Sequence, residues 1–175
     1  YMAFTVCAFV IFLICGMDFT GAVNHALSTV SAGGFSTYNE SAAYFDDVYV
    51  EGWMTFFMVL AGGNFGLYYR AYHKGAAVLL KDTEFKAYLS ILVVAAIIIL
   101  GDLMVELDSD FFTALRYAAF QTASIATTGF VSADYDRWPV LSKFLLMGLM
   151  ICGGCAGSTA AGLKISRVVI LFRSV

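Results

Sequence analysis

Ser28-Thr29-Val30-Ser31-Ala32-Gly33-Gly34-Phe35 and, at an offset of 95 residues, Ala123-Ser124-Ile125-Ala126-Thr127-Thr128-Gly129-Phe130 read as one pattern, small and hydroxyl-bearing residues ending in Gly-Phe. Each closes a segment, Phe19 to Ser36 and Phe111 to Ser132, that holds roughly a dozen helix-compatible residues where a bilayer span needs about 20. Segments of that length fit half-helices that enter a membrane and return, provided protein or water satisfies their irregular backbone.

Apolar runs flank both segments: Tyr1 to Met17, Trp53 to Tyr69, Ala87 to Leu103, and a fourth that starts at Trp138, breaks into glycines after Cys152 and resumes from Leu163 to Phe172. Each half therefore reads as outer helix, pore half-helix, extended loop and inner helix, a duplicated membrane module. The expected fold is an all-α membrane protein with unit boundaries at 1–75 and 87–175 and a cytoplasmic linker at 76–86. The first run is slightly short of a span and lacks a basic leader region, so Tyr1 reads as a cut through a helix rather than the start of a signal peptide.

Composition agrees: 61% of residues are hydrophobic and 13% charged, against about 25% charged in soluble domains. Mean hydropathy is +0.81. Cys7 and Cys15 sit in an apolar run as small core residues. Cys152 and Cys155 have C-x-x-C spacing, but without a second pair or a nearby histidine they are expected to pack rather than to bind metal or cycle redox state.

Charge orients the chain. Arg70, Lys74, Lys81, Lys86, Lys164, Arg167 and Arg173 mark the cytoplasmic side, with only Asp82 and Glu84 among them. Asp18, Glu40, Asp46, Asp47, Glu51, Asp102, Glu106, Asp108, Asp110, Asp134 and Asp136 fall on the other side, where they either concentrate cations or simply keep the loops soluble.

A cation leaving water needs oxygens in place of its hydration shell, and backbone carbonyls of an extended loop supply them without net charge. Ser31, Ala32, Gly33 and Gly34, and Ala126, Thr127, Thr128 and Gly129, have the small or flexible residues such a loop requires. The half-helices before them would aim their partly negative C-terminal ends at the same place.

Four ordered segments, ALSTVSAGGFST at 26–37, LAGGNFGLYYRA at 60–71, ATTGFVSADYDRWP at 126–139 and GGCAGSTAAGLK at 153–164, resemble the TrkH side of the Trk/Ktr/HKT superfamily of cation transporters. The resemblance covers nearly the whole chain. It implies that four such units surround one pore and that this chain matches the second and third. It also implies potassium binding at the two loops, uptake across the bacterial inner membrane by a multi-pass homodimer, and a cytoplasmic nucleotide-binding regulatory subunit of the RCK/KTN type as partner. No cofactor and no nucleic acid are expected. Two positions depart from the family pattern: Ala161 stands where a glycine is expected, and Tyr68 where histidine is common.

The stretch from Gly153 to Gly162 interrupts the last inner helix and should line the cavity below the loops; the resemblance names it as the gate, with Gly153, Gly154, Gly157, Ser158, Thr159 and Gly162 as its residues. Gly157, Gly162 and Lys164 imitate a phosphate-binding loop, but the lysine comes one residue late and no strand precedes it. Lys164 and Arg167 are either cytoplasmic anchors or cations that oppose ions below the gate. Asn64, deep in an apolar run, should bond to another helix rather than touch an ion. His25 and Arg116, on the two half-helices, are expected to anchor them. The rival readings are a non-conducting structural membrane subunit and an intramembrane serine hydrolase using Ser158. The placement of His25 and His73 argues against the second.

Overall fold

The computed structural model describes the backbone of residues 1–174 and the side chains of residues 1–171. The side chain of Arg173, counted above among the basic residues, lies outside the described residues. Regular structure among the described residues is helical: α1 (Met2–Ile14), α2 (Phe19–Val30), α3 (Val48–Ala61), α4 (Phe65–Lys74), α5 (Ala77–Lys81), α6 (Thr83–Glu106), α7 (Phe111–Thr127), α8 (Val140–Ile151) and α9 (Ile165–Ser174), with 3-10 turns at Ser41–Tyr44 and Tyr135–Arg137.

Both half-helices form where expected. Asp18 caps α2 by accepting from the Gly21 amide, and Asp110 caps α7 by accepting from Phe112. A hydrogen bond from the Tyr38 hydroxyl, with that amide, holds the Asp18 carboxyl below the usual carboxylate range. Asp47 accepts from Tyr49 and Val50 at the head of α3, and Asp82 from Phe85 at the head of α6. Asp102 on α6 reaches across to the first turn of α8, accepting from the Ser142 amide at 3.0 Å and from its hydroxyl at 2.5 Å. Several carboxylates that the sequence groups as an acidic mouth are thus tied to helix ends.

Three departures from the sequence reading have physical causes. The run from Trp53 to Tyr69 is two helices, because Gly62 and Gly63 open the turn and the Asn64 side chain starts α4 by accepting from Gly66 and Leu67. Helix α6 begins at Thr83 rather than near Ala87, since Asp82 caps it there. Helix α7 runs 17 residues and carries Ala126 and Thr127 in its last turn, so the first two residues of the second loop are helical where an extended segment is expected. Among the described residues only α6 is both long and apolar enough to cross a membrane on its own; α1, α3 and α8 are shorter apolar helices.

Packing follows the duplication. One core joins α1, α2 and α3 and admits Phe120, Ala123 and Phe130 from the second half. A second joins α6, α7 and α8. A third, built on Leu67, Phe85, Tyr88, Leu92, Ala126, Cys155 and Ile165, ties the halves together at the end where α4, α6 and α9 meet.

Candidate functional site

The two loops that follow the half-helices meet side by side. Gly34 has φ +70° and its α-carbon faces the carbonyl of Thr128, so closely that a methyl group there would stand 2.2 Å from that oxygen. Only glycine combines that dihedral with that approach. Both half-helices end in the same closure: the Gly33 amide donates to Ser28 O at 2.8 Å and the Gly129 amide to Ser124 O at 2.7 Å. Relative to the Gly-Phe pair, the closure falls one residue earlier in the first loop.

Gly129 has φ +96° and faces open space. Ala32 also holds a left-handed conformation, at φ 57°. Thr127 Oγ1 donates back to Ala123 O, Ser124 Oγ to Phe130 O, and Thr128 Oγ1 to the sulfur of Met58. In α2 the last-turn carbonyls of Leu27, Ser28 and Thr29 accept from Ser31, Gly33 and Ala32. Ser31 to Gly34 thus follow the end of α2, whereas Ala126 and Thr127 close the last turn of α7 and Thr128 and Gly129 lie just beyond it.

The anchors lie behind these loops. His25 is buried, with Nδ1 2.8 Å from Gly21 O and Nε2 3.0 Å from Ser36 Oγ, and its ring stacks on Phe130 of the other loop. Arg116 on α7 donates through Nε and Nη2 to both oxygens of Glu51 on α3, at 2.7 and 2.9 Å, and through Nη2 to Asp46 at 2.8 Å. Glu51 is 2% exposed. It is a buried partner rather than a loop charge, and nothing in its neighbourhood of sequence marks it so.

Below the loops, the two helix breaks lock into each other. Ending α3 at Ala61 orphans its last carbonyls. Val59 O accepts from Tyr88 Oη, Leu60 O from Tyr68 Oη, Ala61 O from the Thr159 amide and hydroxyl, and Gly62 O from the Cys155 amide. The Phe65 amide donates to Gly157 O at 3.1 Å. The carbonyls of Ala61, Gly62 and Gly157 are thus matched across the two breaks, and those of Val59 and Leu60 by tyrosines of α6 and α4, as burial of irregular backbone demands. Thr159 Oγ1 also donates to Val30 O at 2.9 Å, so the 153–162 loop touches the end of the first half-helix. Tyr68, the departure from the family pattern, serves here as a carbonyl donor.

The loop is pinched at its base by a parallel bridge between Cys152 and Leu163, with Gly153 N donating to Leu163 O and Ile165 N to Gly154 O. Lys164 Nζ donates to Ala160 O at 2.5 Å and lies 3.4 Å from Ser158 Oγ. It is thus a clip on the loop. Arg167, one turn on, is exposed. Ser158 Oγ donates to Cys155 O, while His25 is engaged as above and His73 lies on α4, which leaves the serine without a histidine base.

Two further parts of this region escape the sequence reading. Gly62-Gly63 is a break matching Gly153-Gly154, and the repeated Gly-Gly in two otherwise apolar runs is a signal that could have found it. Glu84, read only as a cytoplasmic charge, accepts from the Ala156 and Ser166 amides.

Paired half-helices with their glycine loops side by side, packed among apolar helices and backed by broken inner helices, define an all-α membrane protein of repeated helix, half-helix and helix units. The family model for TrkH, a cation transport protein, matches residues 1–175, and the chain belongs to that family. Similar curated proteins include the Trk system potassium uptake proteins TrkH of Halomonas elongata, 35% identical over 99% of this chain and 36% of that protein, and TrkG of Escherichia coli K12, 33% identical over the same shares. The crystal structure of the potassium transporter TrkH from Vibrio parahaemolyticus superimposes with a TM-score of 0.94 at 32% identity, covering 98% of this chain and 38% of that one. The chain spans little more than a third of the length of the curated relatives it matches.

Proposed function

We propose that the chain supplies two adjacent units of a potassium uptake pore, residues 1–75 and 87–175 joined by 76–86, and that the protein is a transporter with no covalent chemistry. Potassium passes down its electrochemical gradient, shedding water for the carbonyls of Ser31, Ala32, Gly33 and Gly34 and of Ala126, Thr127, Thr128 and Gly129. The 153–162 loop obstructs the path beneath, with Lys164 holding it and Arg167 facing the cytoplasm. What carries this reading is the direct meeting of Gly34 with the Thr128 carbonyl, because only loops that converge on one axis can share an ion. The inner-membrane location, the homodimer and the nucleotide-binding ring rest on the likeness to the Trk relatives alone.

Gly129→Ser in the full-length protein tests the filter. The residue's φ of +96° disfavours any side chain, by about 1–3 kcal/mol, so the loop should relax and its carbonyls shift. The potassium-to-sodium flux ratio in liposomes should fall severalfold, while Ala119→Ser on the half-helix leaves it unaltered. An unchanged ratio in Gly129→Ser removes this loop from the filter.

Orientation has its own test. Glu40→Cys and Lys81→Cys should react with an impermeant thiol reagent from opposite sides of the membrane, external and cytoplasmic. Reaction of both from one side would sink the arrangement.

A further inference from the structure

We infer that Glu84 is a positioning residue for the 153–162 loop, joining it to helix α9 through a single carboxylate oxygen. Oε1 of Glu84 accepts from the Ala156 amide at 2.6 Å and from the Ser166 amide at 3.2 Å. The first amide lies on the outgoing arm of the loop, and the second lies in the first turn of α9. Glu84 itself sits in the first turn of α6, an element with its own core contacts. Its carboxylate therefore fixes two pieces of backbone to a third, and it does so with charge-assisted bonds, roughly twice as strong as neutral ones.

The rest of the loop explains why this brace matters. The returning arm is clipped by Lys164 to Ala160 O, and the base is pinched at Gly153 and Leu163. The outgoing arm at Ala156 is exposed, with Glu84 as its side-chain acceptor. Next to it, Cys155 is fully buried and its amide donates to Gly62 O. Releasing Ala156 frees the segment that carries Cys155 away from the α3 break. A displacement of α9 would reach the loop by the same route, since one oxygen serves both amides.

This inference rests on the pore reading above only for its effect on flux; the brace itself is tested by thiol chemistry. In the full-length protein with Cys7, Cys15 and Cys152 replaced by alanine, Glu84→Ala should raise the rate at which Cys155 reacts with a small maleimide on the order of tenfold, the scale set by losing a charged hydrogen bond. Glu84→Gln keeps the shape and one acceptor oxygen and should fall between Glu84→Ala and the parent, so it serves if the alanine variant does not fold. A control thiol at Ala118→Cys, buried in the core of α6, α7 and α8, should keep its rate, which separates loop release from general loosening. Potassium flux per folded protein should rise with Cys155 reactivity while the potassium-to-sodium ratio holds. Unchanged Cys155 reactivity in the folded variants, or equal acceleration at Ala118→Cys, overturns the inference. Faster Cys155 reaction with flux unchanged supports the brace and instead overturns the loop as gate.

Discussion

Arg116→Ala should destabilise the protein by about 2–4 kcal/mol, somewhat below the about 3–5 kcal/mol that breaking a fully buried ion pair costs. Glu51 is 2% exposed, so removing the guanidinium strands a buried carboxylate without its ion partner. The discount reflects Arg116 itself, whose side chain is 19% exposed and whose removal admits some water. Asp46, 81% exposed, should matter far less, and Asp46→Asn should lose under about 1 kcal/mol, as exposed pairs do. Thermal unfolding in detergent or lipid measures both. The double variant Arg116→Leu with Glu51→Met should recover most of the loss, because apolar replacement of a whole buried pair is often neutral. A double variant no better than Arg116→Ala would mean that the pair holds α7 against α3 by geometry that packing cannot replace.

That pair also shows where sequence reading ends. The half-helices and the glycine-rich break were legible because their signals are local: Gly-Phe after a short amphipathic stretch, and Gly153, Gly154 and Gly157 inside an apolar run. Glu51 and Glu84 were not, because their partners lie 65 and at least 72 residues away, and a carboxylate looks the same in sequence whether it meets water or an amide. The α3–α4 break was hidden for another reason. Trp53 to Tyr69 is apolar enough to span, and beyond its own Gly62, Gly63 and Asn64 the break is held by groups that donate to its freed carbonyls: the Tyr68 hydroxyl from α4, the Tyr88 hydroxyl from α6 and the Cys155 amide from the other break. Gly62 shows the constraint: a methyl group there would stand 2.2 Å from Tyr88 Oη and 2.7 Å from Thr127 Cγ2. In the second loop the expected extended backbone starts two residues late, since the hydroxyls of Thr127 and Ser124 bond to neighbouring carbonyls and α7 runs on through Ala126 and Thr127.

Replacing Gly153, Gly154 and Gly157 together by alanine should raise unregulated potassium flux and leave the potassium-to-sodium ratio intact. Two effects push the same way. Each glycine is about 1 kcal/mol worse than alanine in a helix, so the substitutions favour continuing α8 through the break. The folded loop also has no room for them: the added methyl groups would stand 1.7 Å from Ala161 O at Gly153, 2.4 Å from Gly62 O at Gly154 and 2.3 Å from Asn64 Oδ1 at Gly157. The first two obstacles are backbone, held by the pinched base and by the α3 break, whereas the third is a side chain that can swing at the loss of its cap on α4. Gly153→Ala and Gly154→Ala should therefore each act more strongly than Gly157→Ala. Displacing the loop gives up the bonds from Cys155 to Gly62 O, from Thr159 to Ala61 O and from Thr159 Oγ1 to Val30 O, which withdraws it from the end of the first half-helix. The loops after the half-helices keep their closures at Gly33 and Gly129, because those bonds run from each loop back to its own half-helix. Flux of both ions, normalised to folded protein, separates this from a packing role: lower yield with unchanged flux per folded molecule would make the glycines a close-packing device, and lost selectivity without higher flux would defeat the assignment of this loop as the gate.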